Sequence, residues 1–257
     1  NNGKVTLKTS ADFETKASYS FNIVATDDGT GALSGSKAIT VSISNVNESP
    51  VITSAATSSA DENLNASTVV YTATATDVDS SDTLTYSVSG TDAGLVTIDA
   101  NNGKVNLKAS ADFETKASYS FNVIATDDGA GTLSDTKAIT VSINDINEAP
   151  VITSAATSSV NENLDASTVV YTATATDVDA SDTLTYSVSG TDAGLVTIDA
   201  NNGKVTLKAS ADFETKPSYS FNVVATDDGT GTLSDTKAIT VSVNDINDIP
   251  IVAKTPS

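Results

Sequence analysis

The hexapeptide ADFETK begins at Ala11, at Ala111 and at Ala211, so the chain repeats itself every 100 residues. Residues 51–150 and 151–250 agree at 89 of 100 positions. A period of this size is that of a domain, since solenoid units run to about 20–45 residues. The chain is read as the C-terminal half of a repeat (1–49), a complete repeat (50–149), a second complete repeat (150–249), and a tail or start of the next linker (250–257).

Each repeat reads as all-β. Thr68–Thr76 (TVVYTATAT) alternates, which places Val69, Tyr71, Ala73 and Ala75 on one face. The same period directs Leu84, Tyr86 and Val88 inward, then Tyr119, Phe121, Val123 and Ala125, then Ile139, Val141 and Ile143. Asn102-Gly103 supplies the positive φ angles of a tight hairpin turn. About seven short strands per repeat, with turn signals every ten residues or so, predict a Greek-key, Ig-like β-sandwich. The 49-residue first segment holds only the last three or four strands. It is expected to pack against another copy, to be completed by further chain, or to be poorly ordered.

Composition narrows the chemistry. With no Cys and no His, the chain has no disulfides, no thiolate nucleophile, no imidazole base and no zinc site of the usual kind. Its 33 acidic against 13 basic side chains, all of them Lys, give a net charge of −20. Nucleic acid and anionic membrane are repelled by such a surface. No run of 18 apolar residues and no signal-peptide pattern is present, so the chain is expected to be a soluble piece of a longer protein, without membrane insertion.

The carboxylates fall at strand ends, and strand ends collect at the two poles of a sandwich. Glu62, Asp112, Glu114 and the segment Asn144–Glu148 would gather at one pole, and Asp177, Asp179 and Asp227 at the facing pole of the next repeat. About eight like charges at one junction repel unless a cation joins them. Ca²⁺ suits such a set, because it takes six to eight oxygen ligands from Asp, Glu, Asn and backbone carbonyls. Mg²⁺ demands stricter geometry, and transition metals favour His or Cys. An EF-hand reading of Asp177–Val188 fails, since its sixth place is Asp182 rather than Gly and its twelfth is Val188. Asp128 is read as a turn residue beside Asp127.

The ordered series Asn161-Glu162-Asn163, Asp177-x-Asp179, Asp212-x-Glu214, Ala225-x-Asp227-x-Gly229 and Asp245-x-Asn247-Asp248-x-Pro250 resembles the cadherin repeat, whose motifs are xEN, DxD, DxE, AxDxG and DxNDNxP. The resemblance covers residues 50–249 and half a repeat at 1–49. Near-identical, Ser/Thr-rich repeats with few aromatics are similar to the cadherin-like arrays of large bacterial surface adhesins.

The resemblance implies an elongated array with calcium between repeats. At the second junction it implies Glu62, Asp112, Glu114, Asp145 and Glu148, Asn147 through its backbone carbonyl, and Asp177, Asp179 and Asp227, with Asp182 near the place of an additional family Asn. At the first junction it implies Asp12, Glu14, Asn47 and Glu48 with Asp77, Asp79 and Asp127. After the last repeat it implies Glu162, Asp212, Glu214, Asp245, Asn247 and Asp248. Two departures weaken the match. The linker Asp145–Pro150 is one residue shorter than the motif and lacks its final Asn, and Asn45 stands where the next repeat has Asp145.

The expected function is a calcium-rigidified spacer in an extracellular, cell-surface adhesin of a bacterium. The alternative is a calcium-dependent module binding polysaccharide or another copy of the chain. Paired carboxylates are also the equipment of glycosidases. Here they recur at every junction with no Trp to line a sugar subsite, so no enzyme is expected.

Overall fold

The computed structural model describes residues 3–247, so Asp248 and the tail 250–257 lie outside the described residues. The chain divides into two compact units, residues 1–144 and 145–257.

The first unit opens with an antiparallel ribbon of β1 (Ser18–Thr26) and β2 (Ser34–Ser42), in which Phe21 faces Ile39 and Tyr19 faces Val41. A complete repeat follows, comprising β3 (Val51–Ile52), β4 (Thr57–Asp61), β5 (Val69–Thr72), β6 (Ala75–Thr76), β7 (Thr85–Ser89), β8 (Val96–Ile98), β9 (Lys104–Leu107), β10 (Ser118–Thr126) and β11 (Ser134–Asn144). One sheet has the order β4-β11-β10-β7, and the other layer is β5-β9-β8 with the short pair β3-β6. The nine segments amount to seven strands, because β3 and β4 are halves of one strand that changes layers and β5 and β6 are halves of another. The β4–β11 pairing is parallel and joins the first strand to the last.

The second unit repeats this plan in β12 (Val151–Ile152), β13 (Thr157–Asn161), β14 (Val169–Thr172), β15 (Ala175–Thr176), β16 (Thr185–Ser189), β17 (Val196–Ile198), β18 (Lys204–Leu207), β19 (Ser218–Thr226) and β20 (Ser234–Asn244). Its four-stranded sheet runs β13-β20-β19-β16. A three-residue 3₁₀ turn, Ala93–Leu95 or Ala193–Leu195, precedes β8 and β17.

Alternation explains the core. Tyr119, Phe121, Val123 and Ala125 of β10 meet Tyr71, Val96 and Val105 from the opposite layer, and the Tyr71 and Phe121 rings pack edge to face at 6.4 Å. Burying a side chain of the size of Phe121 or Ile139 contributes about 2–3 kcal/mol. In the ribbon the same positions are open: Ile23 and Val41 are 44% and 43% exposed, where Val123 and Val141 are 0%. Among the described residues, no second layer covers the inner face of this ribbon.

The expected strand Thr68–Thr76 is interrupted. The pairing of β5 with β9 slips between Val69 and Tyr71, so Val70 turns in at 8% exposure and Val69 turns out at 43%, contrary to the alternation. The Asn102-Gly103 turn also differs from expectation, since only Gly103 has positive φ, at +67°. A Cβ on Gly103 would strike the Ala73 carbonyl, whose own N–H donates to Gly103 O at 2.9 Å. Close approach, as well as dihedral freedom, requires glycine there.

Candidate metal centre

Within the first unit, the segment after β2 crosses the loops that follow β6 and β10. Asn45 Nδ2 donates to Asp79 Oδ1 at 2.8 Å, and Glu48 N donates to Asp79 Oδ2 at 2.9 Å. Asn47 Nδ2 donates to Asp127 Oδ1 at 3.2 Å. Asp79 and Asp127 are 4% and 3% exposed. The Asp127 Oδ1 atom also accepts the N–H groups of Gly129 and Leu133, and Asp77 Oδ1 accepts Asp79 N, so backbone donors aim each carboxylate.

Carboxylate oxygens of Glu14, Glu48 and Asp79 lie within 4.8 Å of one another. The Glu48 N–H and the Asn45 amide hold Asp79 below the ordinary carboxylate range. Desolvation, then the charges of Glu14 and Asp79, push Glu48 up. Desolvation and the carboxylates of Asp79, Asp128 and Asp127 push Asp82 up. The buried oxygens Asp77 Oδ2, Asp82 Oδ2 and Asp127 Oδ2 have no hydrogen-bond partner.

The second unit builds the same arrangement from its own residues. Glu148 N donates to Asp179 Oδ2 at 2.8 Å, Asn147 Nδ2 to Asp227 Oδ1 at 3.3 Å, and Asp179 N to Asp177 Oδ1 at 3.2 Å. Asp177 Oδ2 and Asp182 Oδ2 are buried without a hydrogen-bond partner. Asp182 lines a cleft of about 580 Å³ together with Asp145, Asn147, Asp179, Asp228 and Gly229 among others.

Each complete repeat carries a second cluster at its other pole. Glu62, Asp112 and Glu114 come within 4.8 Å in the first unit, as do Glu162, Asp212 and Glu214 in the second. Glu62 is 3% exposed and its Oε2 accepts Phe113 N at 2.8 Å. Glu162 does the same with Phe213, and its Oε1 accepts Ile246 N at 2.7 Å. Asp245 and Asn247 lie in the segment after β20. Asp12, Asp112 and Asp212 also cap turns, each taking the N–H and the hydroxyl of Thr15, Thr115 or Thr215.

Two placements refine the sequence reading. Asn147, expected to serve through its backbone carbonyl, turns its side chain toward Asp227 and Gly229. Asp82 was missed although it stands 100 residues before Asp182, so the period itself could have found it. Asp128, read as a turn residue, accepts Thr83 N from the loop after β6 at 2.7 Å. The donor set is carboxylate, amide and backbone oxygen, with several oxygens buried and unpartnered, and such a set fits a hard, multiply coordinated cation of the calcium kind.

The Cadherin domain family model matches residues 56–144 and 156–244. The mouse Cadherin EGF LAG seven-pass G-type receptor 2 is 33% identical over 255 residues, which cover 96% of this chain and 9% of the receptor. The chain thus spans less than a tenth of that relative's length. Mouse Cadherin-23 EC22-24 superposes with a TM-score of 0.64 at 26% identity, over 93% of this chain and 78% of the other. Extracellular cadherin domains 1-5 of Protocadherin Gamma B2 give a TM-score of 0.68 at 28% identity, over 92% and 48%. With two tandem copies of the domain on one chain, this protein belongs to the cadherin family.

Proposed function

We propose that the repeats are a calcium-stiffened spacer on the outside of a cell, in the stalk of a surface adhesin of the bacterial kind. The observation that carries this reading is the set of buried, unpartnered carboxylate oxygens that recurs beside each linker at a spacing of 100 residues. The ligands proposed at the first linker are Glu14, Asn47, Glu48, Asp77, Asp79 and Asp127, with Asp12 at the turn beside them. At the second linker Asp145, Asn147, Glu148, Asp177, Asp179, Asp182 and Asp227 hold the equivalent places. Glu62, Asp112 and Glu114, and after the last repeat Glu162, Asp212, Glu214, Asp245, Asn247 and Asp248, are proposed for the opposite poles.

Calcium, when bound, supplies positive charge shared among oxygens from linker and loops. The chain's own part is to aim those oxygens, with Glu48 N, Gly129 N and Leu133 N fixing Asp79 and Asp127 from behind. A linker tied at several points loses the freedom that a bare, like-charged linker keeps. Near-identity of neighbouring repeats suits a part whose useful property is length. The test is small-angle scattering of the whole chain with calcium and with chelator. The maximum dimension is expected to be fixed and long with calcium and to broaden without it, with a fall in melting temperature. An identical scattering curve and an identical melt in both buffers would sink the reading.

A further inference from the structure

The dipeptide Asn102-Gly103 brings a chemical hazard into the turn between β8 and β9. In an Asn-Gly pair the glycine nitrogen, once deprotonated, can attack the Asn Cγ. The new N–C bond closes a succinimide ring, the side-chain amide leaves as ammonia, and water then opens the ring to Asp or isoaspartate. Glycine is the most permissive neighbour because no Cβ shields its nitrogen. Here the glycine cannot be exchanged, since Gly103 has φ +67° and a Cβ would strike the Ala73 carbonyl. Asn101 and Asn102 are exposed, so water and hydroxide reach the pair.

Every reacting atom is nevertheless tied down. The nucleophile, Gly103 N, donates to Asp99 O at 2.9 Å, and Gly103 O accepts Ala73 N at 2.9 Å. The leaving group, Asn102 Nδ2, donates to Asp99 Oδ2 at 2.8 Å, while Asn102 Oδ1 accepts Lys104 N at 3.0 Å. The Lys104 contact alone would polarise the Asn102 carbonyl and invite attack. Asp99 works the other way: it holds nucleophile and leaving group together, and its charge opposes the anion that must form on Gly103 N. Asn101 N fixes Asp99 in turn, donating to Oδ1 at 2.8 Å. The second unit repeats each contact around Asp199, with Asn202 Nδ2 on Asp199 Oδ2 at 2.8 Å and Gly203 N on Asp199 O at 2.9 Å. We propose that Asn102 and Asn202 are latent deamidation sites, and that Asp99 and Asp199 are positioning residues that keep them closed in the folded chain. Conversion of Asn102 to Asp would set a second carboxylate against Asp99 Oδ2, and isoaspartate would add a methylene to a backbone that Ala73 already confines.

The near-identical repeats supply the control within one molecule. The whole chain is aged in mildly alkaline buffer, and peptide mass spectrometry follows amide loss and isoaspartate separately at Asn102 and Asn202. The chain unfolded in urea gives the unguarded rate, and both turns of the folded wild type are expected to react at least about ten times more slowly, since reaction there waits on local opening. In Asp99→Ser the hydroxyl can accept Asn101 N but stops short of Asn102. Asn102 is then expected to speed up by about ten- to a hundredfold, the weight of a lost charge-assisted hydrogen bond, while Asn202 keeps its wild-type rate. Asp199→Ser should move the effect to Asn202 and leave Asn102 slow. Folded wild type that reacts as fast as the unfolded chain overturns the proposal. So does a pair of variants in which the site beside the substitution reacts no faster than the other, whether both stay slow or both speed up together.

Discussion

Asp92 and Asp192 are buried carboxylates that stand outside the candidate metal clusters. Each is 7% exposed, accepts a backbone N–H (Ser120 or Ser220) at 2.7 Å, and pairs with Lys116 or Lys216 at 3.2 or 3.0 Å. The backbone donor first, and then the lysine, hold both groups below the ordinary carboxylate range. A depressed folded value means stability that is present above the unfolded value near 3.9 and lost as pH falls through the folded one. Thermal melts in chelator should therefore drop through the acid range below about pH 4, and Asp92→Asn/Asp192→Asn should flatten that part of the profile. Replacing either Asp by Ala should cost about 2 kcal/mol, the usual loss for a hydrogen bond to a charged group. A second residue prediction concerns Asn45, whose amide donates to Asp79 where the next repeat has an acid. Asn45→Asp should lower the melting temperature in chelator and raise calcium affinity at the first linker, read by calorimetry. The acids at motif positions were legible because each motif names one residue. Asp82 was legible only through its place 100 residues before Asp182, and the side-chain role of Asn47 was not, since it depends on a loop folding over Gly129.

The strands were legible where one face is buried along their whole length. In β10 and β11 every residue read as inward is buried, because period-2 alternation and burial coincide over nine residues or more. The reading failed at Val69 and Val70, where a bulge reverses the faces, and it named no residues of the first strand, whose halves pair with different partners. Nothing in the apolar pattern of a two-residue segment such as β3 specifies its partner. Its place is set by polar contacts from the last strand, with Asp135 Oδ2 accepting Ile52 N at 2.9 Å and Lys137 Nζ donating to Ser54 O at 2.6 Å. The second complete repeat holds β12 with Asp235 and Lys237 in the same way. Lys137→Met should therefore loosen β3 selectively, at about 1–2 kcal/mol for a lost charge-assisted bond to carbonyl. Hydrogen exchange would show it as faster exchange at Ile52 and Thr53 with little change in β10. Uniform protection in the variant would mean that pairing with β6 alone holds the segment.

At the scale of the whole molecule the dominant quantity is a charge of −20 on a chain in which only 18% of residues are charged. Scattered acids of this number would be screened by ordinary salt and would matter little to stability. These are gathered in clusters with several oxygens buried, and buried charges are screened less than exposed ones. Two kinds of rescue should then be distinguishable. Raising sodium chloride from 10 to 150 mM shortens the screening length from about 30 to about 8 Å, which relieves repulsion between clusters but leaves contacts of a few ångströms nearly intact. Without calcium, the melting temperature should rise modestly over that range. Calcium at millimolar concentration should raise it far more, because an ion bound only by the folded state stabilises it by mass action, about 2.7 kcal/mol at a hundredfold excess over its dissociation constant. With calcium saturating, the residual salt dependence should shrink or reverse, since the clusters are neutralised and salt now competes with the ion. Magnesium at equal concentration should do much less, because it gives up its water reluctantly and demands a strict octahedron. Melts in the two salt concentrations, with chelator, calcium or magnesium, decide the matter: equal shifts from calcium and magnesium would mean that the acids act as a diffuse surface charge rather than as built sites.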